Sequence, residues 1–145
     1  MSTVVVGVDH SESCRRAALF AARLARESGA DLHVVHVIPW SPYTFNTPEE
    51  NERRSLTKIQ EIDAAQRLII DPVLALLKEA TASVRVESSV LYGGPAEHLA
   101  AIAGAQPDGH VVVGRVGESR LRQVLFGSTP SKLIQIATTP VTVIP

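Results

Sequence analysis

The chain alternates between short apolar runs rich in β-branched residues and longer amphipathic stretches. The apolar runs are Thr3–Val8, Leu32–Ile38, Val84–Leu91, His110–Val113 and Val141–Ile144. The runs are largely apolar and do not alternate strictly with polar positions, which is typical of strands covered on both faces of a parallel sheet. The pattern therefore predicts five such strands.

Helical periodicity fills the segments between these runs. Ser11 is a candidate N-cap for the first helix, whose apolar stripe ends at Gly29. The later helices are predicted over about Glu49–Ala80, Pro95–Ala103 and Ser131–Ala137. Pro72 cannot lie inside an uninterrupted helix, so either the helix kinks there or Asp71 caps a second helix with Pro72 in its first turn.

The predicted order is β-α-β-α-β-α-β-α-β. This alternation favours an α/β fold with a single doubly wound, Rossmann-like five-stranded parallel sheet and helices on both faces. We expect residues 1–145 to form one domain, because that length supports one hydrophobic core. Ligands in such folds bind beyond the carboxyl ends of the strands, where the strand order reverses.

Composition narrows the class of protein. Hydrophobic residues make up 45% of the 145 residues and charged residues 20%, which is typical of a globular chain. No apolar run reaches the roughly 18–20 residues that a membrane span needs, and we expect no signal peptide, so the predicted location is cytoplasmic. The single cysteine, Cys14, fits a reducing compartment and predicts a small buried side chain.

The charge is unevenly distributed. The net charge is −1, which argues against nucleic acid as a partner. The segment from Gly114 to Lys132 nevertheless has four basic residues and one acidic residue, a local charge of +3; these are Arg115, Arg120, Arg122, Lys132 and Glu118. A local positive charge favours a ligand that carries phosphate.

The same segment contains an ordered set of glycines. Gly114-Arg115-Val116-Gly117 is followed after nine residues by Gly127-Ser128-Thr129. Glycine lets the backbone approach a ligand closely, and the start of a helix presents free N–H groups to an anion. We interpret this segment as a candidate phosphate-binding loop.

The spacing G-x2-G-x9-G-[ST] resembles that of the nucleotide-binding members of the universal stress protein family. Val8-Asp9-His10-Ser11 is similar to the V-D-G-S opening of that family, with His10 in place of glycine, and His36-Val37-Ile38 is similar to the end of its second strand. Gly93-Gly94-Pro95-Ala96-Glu97 and Thr139–Ile144 resemble two further motifs of the family. The match extends over nearly the whole chain.

The resemblance implies a binding site for ATP or another adenine nucleotide. Val37 and Ile38 would contact adenine, Val113 would pack on the base or ribose, and Asp9 would contact the ribose. Val8 is a further candidate residue of the nucleotide site. Asp9 is also the candidate contact for Mg²⁺ held by the phosphates.

The phosphates themselves would be bound by the glycine motif, through Gly114, Arg115, Gly117, Gly127, Ser128 and Thr129. Arg115 stands one place earlier than the arginine of many family members. The resemblance further implies a homodimer formed through Val141–Ile144. It also implies a regulatory role in a stress response, exerted through ligand-dependent conformation or through contact with an unidentified partner protein.

Catalytic machinery is not evident. Asp9-His10-Ser11 has the residue types of a hydrolytic triad, but adjacent residues in one turn do not adopt its geometry. The chain has no G-x4-G-K-[ST] lysine and no zinc-ligand spacing. We therefore predict binding with slow or absent ATP hydrolysis, and no catalytic residue.

Three other classes remain as alternatives. A phosphoacceptor receiver domain would need an aspartate after the third strand, where this chain has Tyr92-Gly93-Gly94. An adenylating ATP pyrophosphatase would need an S-G-G-x-D-S loop after the first strand. A family member that acts by protein contact alone, without nucleotide, is the third alternative.

Overall fold

The structure is a computed structural model that describes residues 2–39, 48–116 and 128–145. The strands are β1 (Thr3–Gly7), β2 (Asp31–Ile38), β3 (Val86–Tyr92), β4 (Gly109–Gly114) and β5 (Val141–Ile144). The helices are α1 (Glu12–Ser28), α2 (Pro48–Ala65), α3 (Asp71–Leu77), α4 (Pro95–Gly104) and α5 (Ser128–Ile136), and a π-helical turn (Gln66–Ile70) joins α2 to α3. None of the described helices is long and apolar enough to cross a membrane.

The five strands form one parallel sheet in the order β3-β2-β1-β4-β5. This confirms the predicted fold class. The order reverses between β1 and β4, so the crevice expected of doubly wound folds lies at the carboxyl ends of those two strands. Receiver domains have the strand order 2-1-3-4-5, and the topology therefore argues against the receiver alternative.

Two apolar layers cover the sheet. On one face, Val4, Val6 and Val34 pack with the alanine stripe of α1 and with Ile70 and Leu77. On the other face, residues of the same central strands pack against α4 and α5; they are Val5, Val35, Val111 and Val113, with Leu99, Ala103 and Leu133 from the helices. Burial on both faces explains the apolar runs Val4-Val5-Val6 and Val111-Val112-Val113 in the central strands β1 and β4.

Both predicted ends of α1 are confirmed. The Cys14 N–H donates to Ser11 Oγ at 3.3 Å, so Ser11 is the N-cap. Gly29 adopts φ +68°, and its N–H donates to the Ala25 carbonyl. That left-handed conformation is the one in which glycine ends a helix without steric cost.

Pro72 is accommodated by the π turn. The Asp71 N–H donates to the Gln66 carbonyl, five residues earlier, and Gln66 Nε2 donates to Asp71 Oδ1 at 2.8 Å. A second helix with Pro72 in its first turn, one of the two predicted alternatives, is confirmed as α3. Asp71 does not cap it, because Asp71 has helical angles of φ −59° and ψ −43°. The backbone stays helical through this region, but the turn just before Pro72 is wider than an α-helical turn. Pro72 has no N–H to form a normal helical hydrogen bond.

Other boundaries differ from the predictions. β1 ends at Gly7, one residue earlier than predicted, β3 is displaced to Val86–Tyr92, and α3 ends at Leu77. The most consequential difference is at α5, which begins at Ser128, three residues before the predicted Ser131. Pro130 lies in the first turn of this helix, where a missing N–H is tolerated.

Candidate functional site

A cavity of about 480 Å³ opens at the carboxyl ends of β1, β2 and β4. The strands contribute Gly7, Val35, His36, Val37, Ile38, Val113 and Gly114, and the loops that follow β1 and β2 contribute Val8, Asp9, His10 and Pro39. The cavity therefore occupies the position that the reversal in strand order predicts.

A second wall comes from the face of α2 and the π turn. Its residues are Glu61, Ala64, Ala65, Leu68 and Ile69. They follow the spacing i, i+3, i+4, i+7 and i+8 of one helical face. Sequence reasoning assigned Leu68 and Ile69 to a helix and did not place this wall at the site.

The turn after β1 is fixed by three hydrogen bonds. The Val8 N–H donates to the Val35 carbonyl at 2.9 Å, and His36 Nδ1 is 2.7 Å from the Val8 carbonyl oxygen. The Ser11 N–H donates to Asp9 Oδ1 at 2.7 Å. Asp9 is therefore held by the turn that precedes α1, and Ser11 supplies the cap of that helix. The His36 side chain is buried and hydrogen-bonded.

The end of β4 is packed tightly against the start of α1. A Cβ atom at Gly114 would lie 2.9 Å from the Ser13 carbonyl carbon and 3.0 Å from the Cys14 nitrogen. Ser13 Oγ also donates to the Val116 carbonyl. Gly114 thus has a packing requirement in addition to any contact with a ligand.

α5 directs its N-terminus at the cavity. Ser128, Thr129 and Pro130 from its first turn line the wall, and the first-turn N–H groups of a helix have no partner within the helix. One turn later, Lys132 forms an ion pair with Glu97 on α4. The hydrogen bond from Lys132 lowers the pKa of the Glu97 carboxyl below its usual range.

Cys14 also lines the cavity, but its thiol is buried. The side chain is 6% exposed, and Sγ is 3.6 Å from the Gly7 carbonyl oxygen. Burial is the main cause that raises the pKa of the Cys14 thiol to about 12, and the nearby negative charge of Asp9 is the second. A neutral thiol of this kind is a poor nucleophile and a poor metal ligand, in agreement with the predicted structural role.

The structure brings together eight of the residues singled out in the sequence: Val8, Asp9, Val37, Ile38, Val113, Gly114, Ser128 and Thr129 all line the cavity. Arg115 does not; its side chain is exposed and its N–H donates to the Ile144 carbonyl at 2.7 Å. Gly117 and Gly127 lie outside the described residues.

The acidic side chains that line the cavity are Asp9 and Glu61, and within the described ranges no lysine or arginine lines it. The described residues also contain no group of three or more His, Cys, Asp or Glu side chains that could hold a metal ion.

Fold and cavity together define a parallel α/β protein with a cavity at the reversal of strand order. The sequence model of the universal stress protein family matches residues 1–145. The chain belongs to this family, as the motifs in its sequence suggested.

Relatives come from several lineages. Universal stress protein YxiE of Bacillus subtilis is 28% identical over 151 residues, which cover 97% of this chain and 97% of that protein. Universal stress protein MJ0531 of Methanocaldococcus jannaschii is 25% identical over 97% of this chain and 80% of its own length. Rv1996 of Mycobacterium tuberculosis is 30% identical over 98% of this chain, which spans 47% of that relative.

Solved structures share the fold. UspA from Lactobacillus plantarum superimposes with a TM-score of 0.77 at 23% identity, over 99% of this chain and 97% of that one. A universal stress protein in complex with cAMP has a TM-score of 0.63 at 25% identity, covering 99% and 97% of the two chains. The protein from Archaeoglobus fulgidus in complex with dAMP has a TM-score of 0.63 at 22% identity, covering 100% and 98%.

Proposed function

We propose that the cavity binds an adenine nucleotide and that binding regulates the action of this protein in a stress response. The observation that carries the proposal is the cavity itself, about 480 Å³ in volume, with apolar residues at the end of β2 and a helix N-terminus opposite. Two members of the family with the same fold have been crystallised with cAMP and dAMP. Both ligands combine an adenine ring with a phosphate.

The end of β2 suits the base. Peptide groups of alternate residues in a strand point to opposite sides: Val35 accepts from Val8 toward β1, whereas Ile38 accepts from Gly93 toward β3. Val37 follows Val35 on the β1 side, and the pairing of β1 with β2 ends at Gly7 and Val35. The N–H of Val37 can donate to N1 of adenine, and the carbonyl of Val37 can accept from the adenine amine.

The opposite end suits the phosphates. Ser128 and Thr129 supply hydroxyls and first-turn N–H groups of α5, a combination that binds anions without a cationic side chain. We propose ATP as the ligand, with Gly117 and Gly127 completing the phosphate contacts. Asp9 would contact the ribose or a phosphate-bound Mg²⁺, which would offset the acidic lining.

A homodimer would accompany this function. β5 is the last strand of the sheet in the described residues, and its backbone pairs with β4 on one side only. Val111 and Arg115 donate to the carbonyls of Pro140 and Ile144, so the peptide groups of Val141 and Val143 point outward. A second copy related by a two-fold axis can pair with them, with Thr142 near the axis.

Calorimetry with two matched variants tests the nucleotide site. Ala64 lines the cavity, and Ala64→Phe places a ring inside it, whereas Gln60 is exposed on the same helix and does not line it. We expect Ala64→Phe to weaken ATP and AMP binding at least tenfold, about 1.4 kcal/mol, and Gln60→Phe to bind as the wild type does. Absence of binding to the wild type would refute the proposal, and mass spectrometry of ligand released from the purified protein would identify an alternative.

A further inference from the structure

One side chain of the cavity has a geometry that the family motifs do not address. Glu61, on α2, lines the cavity, and its Oε2 accepts a hydrogen bond from the Tyr92 hydroxyl at 2.6 Å. The pair joins a helix to a strand end 31 residues away in sequence. This hydrogen bond therefore fixes the position of the Glu61 carboxylate at the cavity wall, and the local sequence around Glu61 does not determine that position.

The sheet register shows at which end of the cavity this carboxylate lies. Tyr92 is the last residue of β3 and is the register partner of Ile38, the last residue of β2. The Gly93 N–H donates to the Ile38 carbonyl at 3.0 Å, so the two strand ends stay paired to this point. Glu61 is thus tethered beside the end of β2 that is proposed to receive the base, away from α5.

Tyr92 is itself held in place as a donor. Its hydroxyl also lies 3.3 Å from the Lys58 carbonyl oxygen, and the Lys58 ammonium lies 5.2 Å from the centre of its ring. Burial and the hydrogen bond to Glu61 raise the pKa of Tyr92 to about 12, so the hydroxyl keeps its proton at neutral pH. The tyrosine uses one carboxylate oxygen and leaves the other to accept from a ligand.

A carboxylate only accepts hydrogen bonds, so it favours a ligand that presents a donor and disfavours one that presents an oxygen acceptor. The exocyclic amine of adenine has two N–H groups, of which the Val37 carbonyl would take one. We infer that Glu61, positioned by Tyr92, accepts the second N–H and selects nucleotides that carry a 6-amino group. This inference rests on the proposed nucleotide site and deepens it.

The test compares AMP with purine riboside 5′-monophosphate, which has hydrogen in place of the amine and keeps the N1 acceptor. We expect the wild type to bind AMP at least tenfold more tightly. Glu61→Ala should lower AMP affinity about tenfold and change the affinity of the analogue less than twofold, so the preference falls by about the same factor and the Val37 carbonyl accounts for what remains. Glu52→Ala removes the same charge from an exposed position of α2 outside the cavity and should retain the wild-type preference.

Two further arms separate the explanations. Tyr92→Phe keeps the Glu61 carboxylate but removes the hydrogen bond that positions it. This variant should therefore reduce the preference for AMP by less than Glu61→Ala does. Glu61→Ala should weaken dAMP as much as AMP; an effect confined to AMP would mean that Glu61 contacts the 2′-hydroxyl and would overturn the assignment. A preference that Glu61→Ala leaves undiminished overturns this inference alone, whereas absence of binding by all ligands overturns the proposed function as well.

Discussion

Replacement of Gly114 by alanine is expected to destabilise the ligand-free protein. The added Cβ would lie 2.5 Å from Ser13 Oγ, 2.9 Å from the Ser13 carbonyl carbon and 3.0 Å from the Cys14 nitrogen. The hydroxyl can rotate away, but the two backbone atoms belong to the first turn of α1 and cannot move alone. That helix buries Ala17 and Ala18 completely against the sheet, so a shift of its start disturbs a close-packed layer.

Overpacking of this kind costs about 1–3 kcal/mol, and contact with backbone places Gly114→Ala in the upper half of that range. For a chain of this length, about 2–3 kcal/mol corresponds to a fall in Tm of roughly 4–10 °C. Urea unfolding followed by circular dichroism, together with calorimetry, measures both quantities. The nucleotide is left out, so that any loss reflects packing alone.

Two glycines serve as controls. At Gly7 the added Cβ would meet the end of the Leu99 side chain at 2.8 Å, which can turn aside, so Gly7→Ala should cost less. At Gly104 the nearest atom is Thr138 Oγ1 at 3.2 Å, and the residue ends α4, so Gly104→Ala should be neutral or stabilising. A Gly114→Ala protein within about 0.5 kcal/mol of the wild type would refute the packing argument.

Three other predictions follow from the same structure. Val143→Pro removes an outward-facing N–H of β5 without removing a hydrogen bond to β4. Light scattering should therefore report a monomer for this variant and a dimer for the wild type. A monomeric wild type would contradict the proposed assembly. Steady-state ATP turnover should lie far below ~1–10³ s⁻¹, and a rate in that range that is lost in Asp9→Ala would show an enzyme. Because burial raises the pKa of Cys14 to about 12, the stability that its neutral thiol contributes is present below pH 9 and is lost as pH rises from 9 toward 12. Accordingly, iodoacetamide at pH 8 should label native Cys14 far more slowly than the unfolded chain.

The sheet could be predicted because its signal is local. A strand covered on both faces needs apolar residues at every position, and runs such as Val4-Val5-Val6 and Val111-Val112-Val113 have this property. Caps are equally local, as Ser11 and Gly29 show. The sequence also indicated the strand ends that surround the cavity, because the carboxyl ends of parallel strands meet at one edge of the sheet.

Element boundaries near prolines were harder to predict. The predicted helix began at Ser131, whereas α5 begins at Ser128 and includes Pro130 in its first turn. The three-residue difference matters, because it places Ser128 and Thr129 in the turn whose N–H groups face the cavity. At Pro72 the two alternatives were a kink and a second helix capped by Asp71. The second helix forms as α3, but a wider turn closed by the Asp71 to Gln66 bond leads into it in place of that cap.

The wall formed by α2 could not be predicted, because periodicity identifies a helical face but not the surface it covers. Leu68 remains 58% exposed although it lines the cavity, so hydrophobicity alone does not distinguish it from an ordinary surface leucine. Glu61 carries even less local signal, since acidic residues are common on exposed helices. Its position depends on the pairing of Ile38 with Tyr92 and on the hydrogen bond that joins Tyr92 to α2. The phosphate end of the proposed site thus follows from a sequence motif. The base end depends on how α2 lies across the ends of β2 and β3, which no local motif encodes. The structure therefore adds most to the sequence in the proposed selectivity for the base.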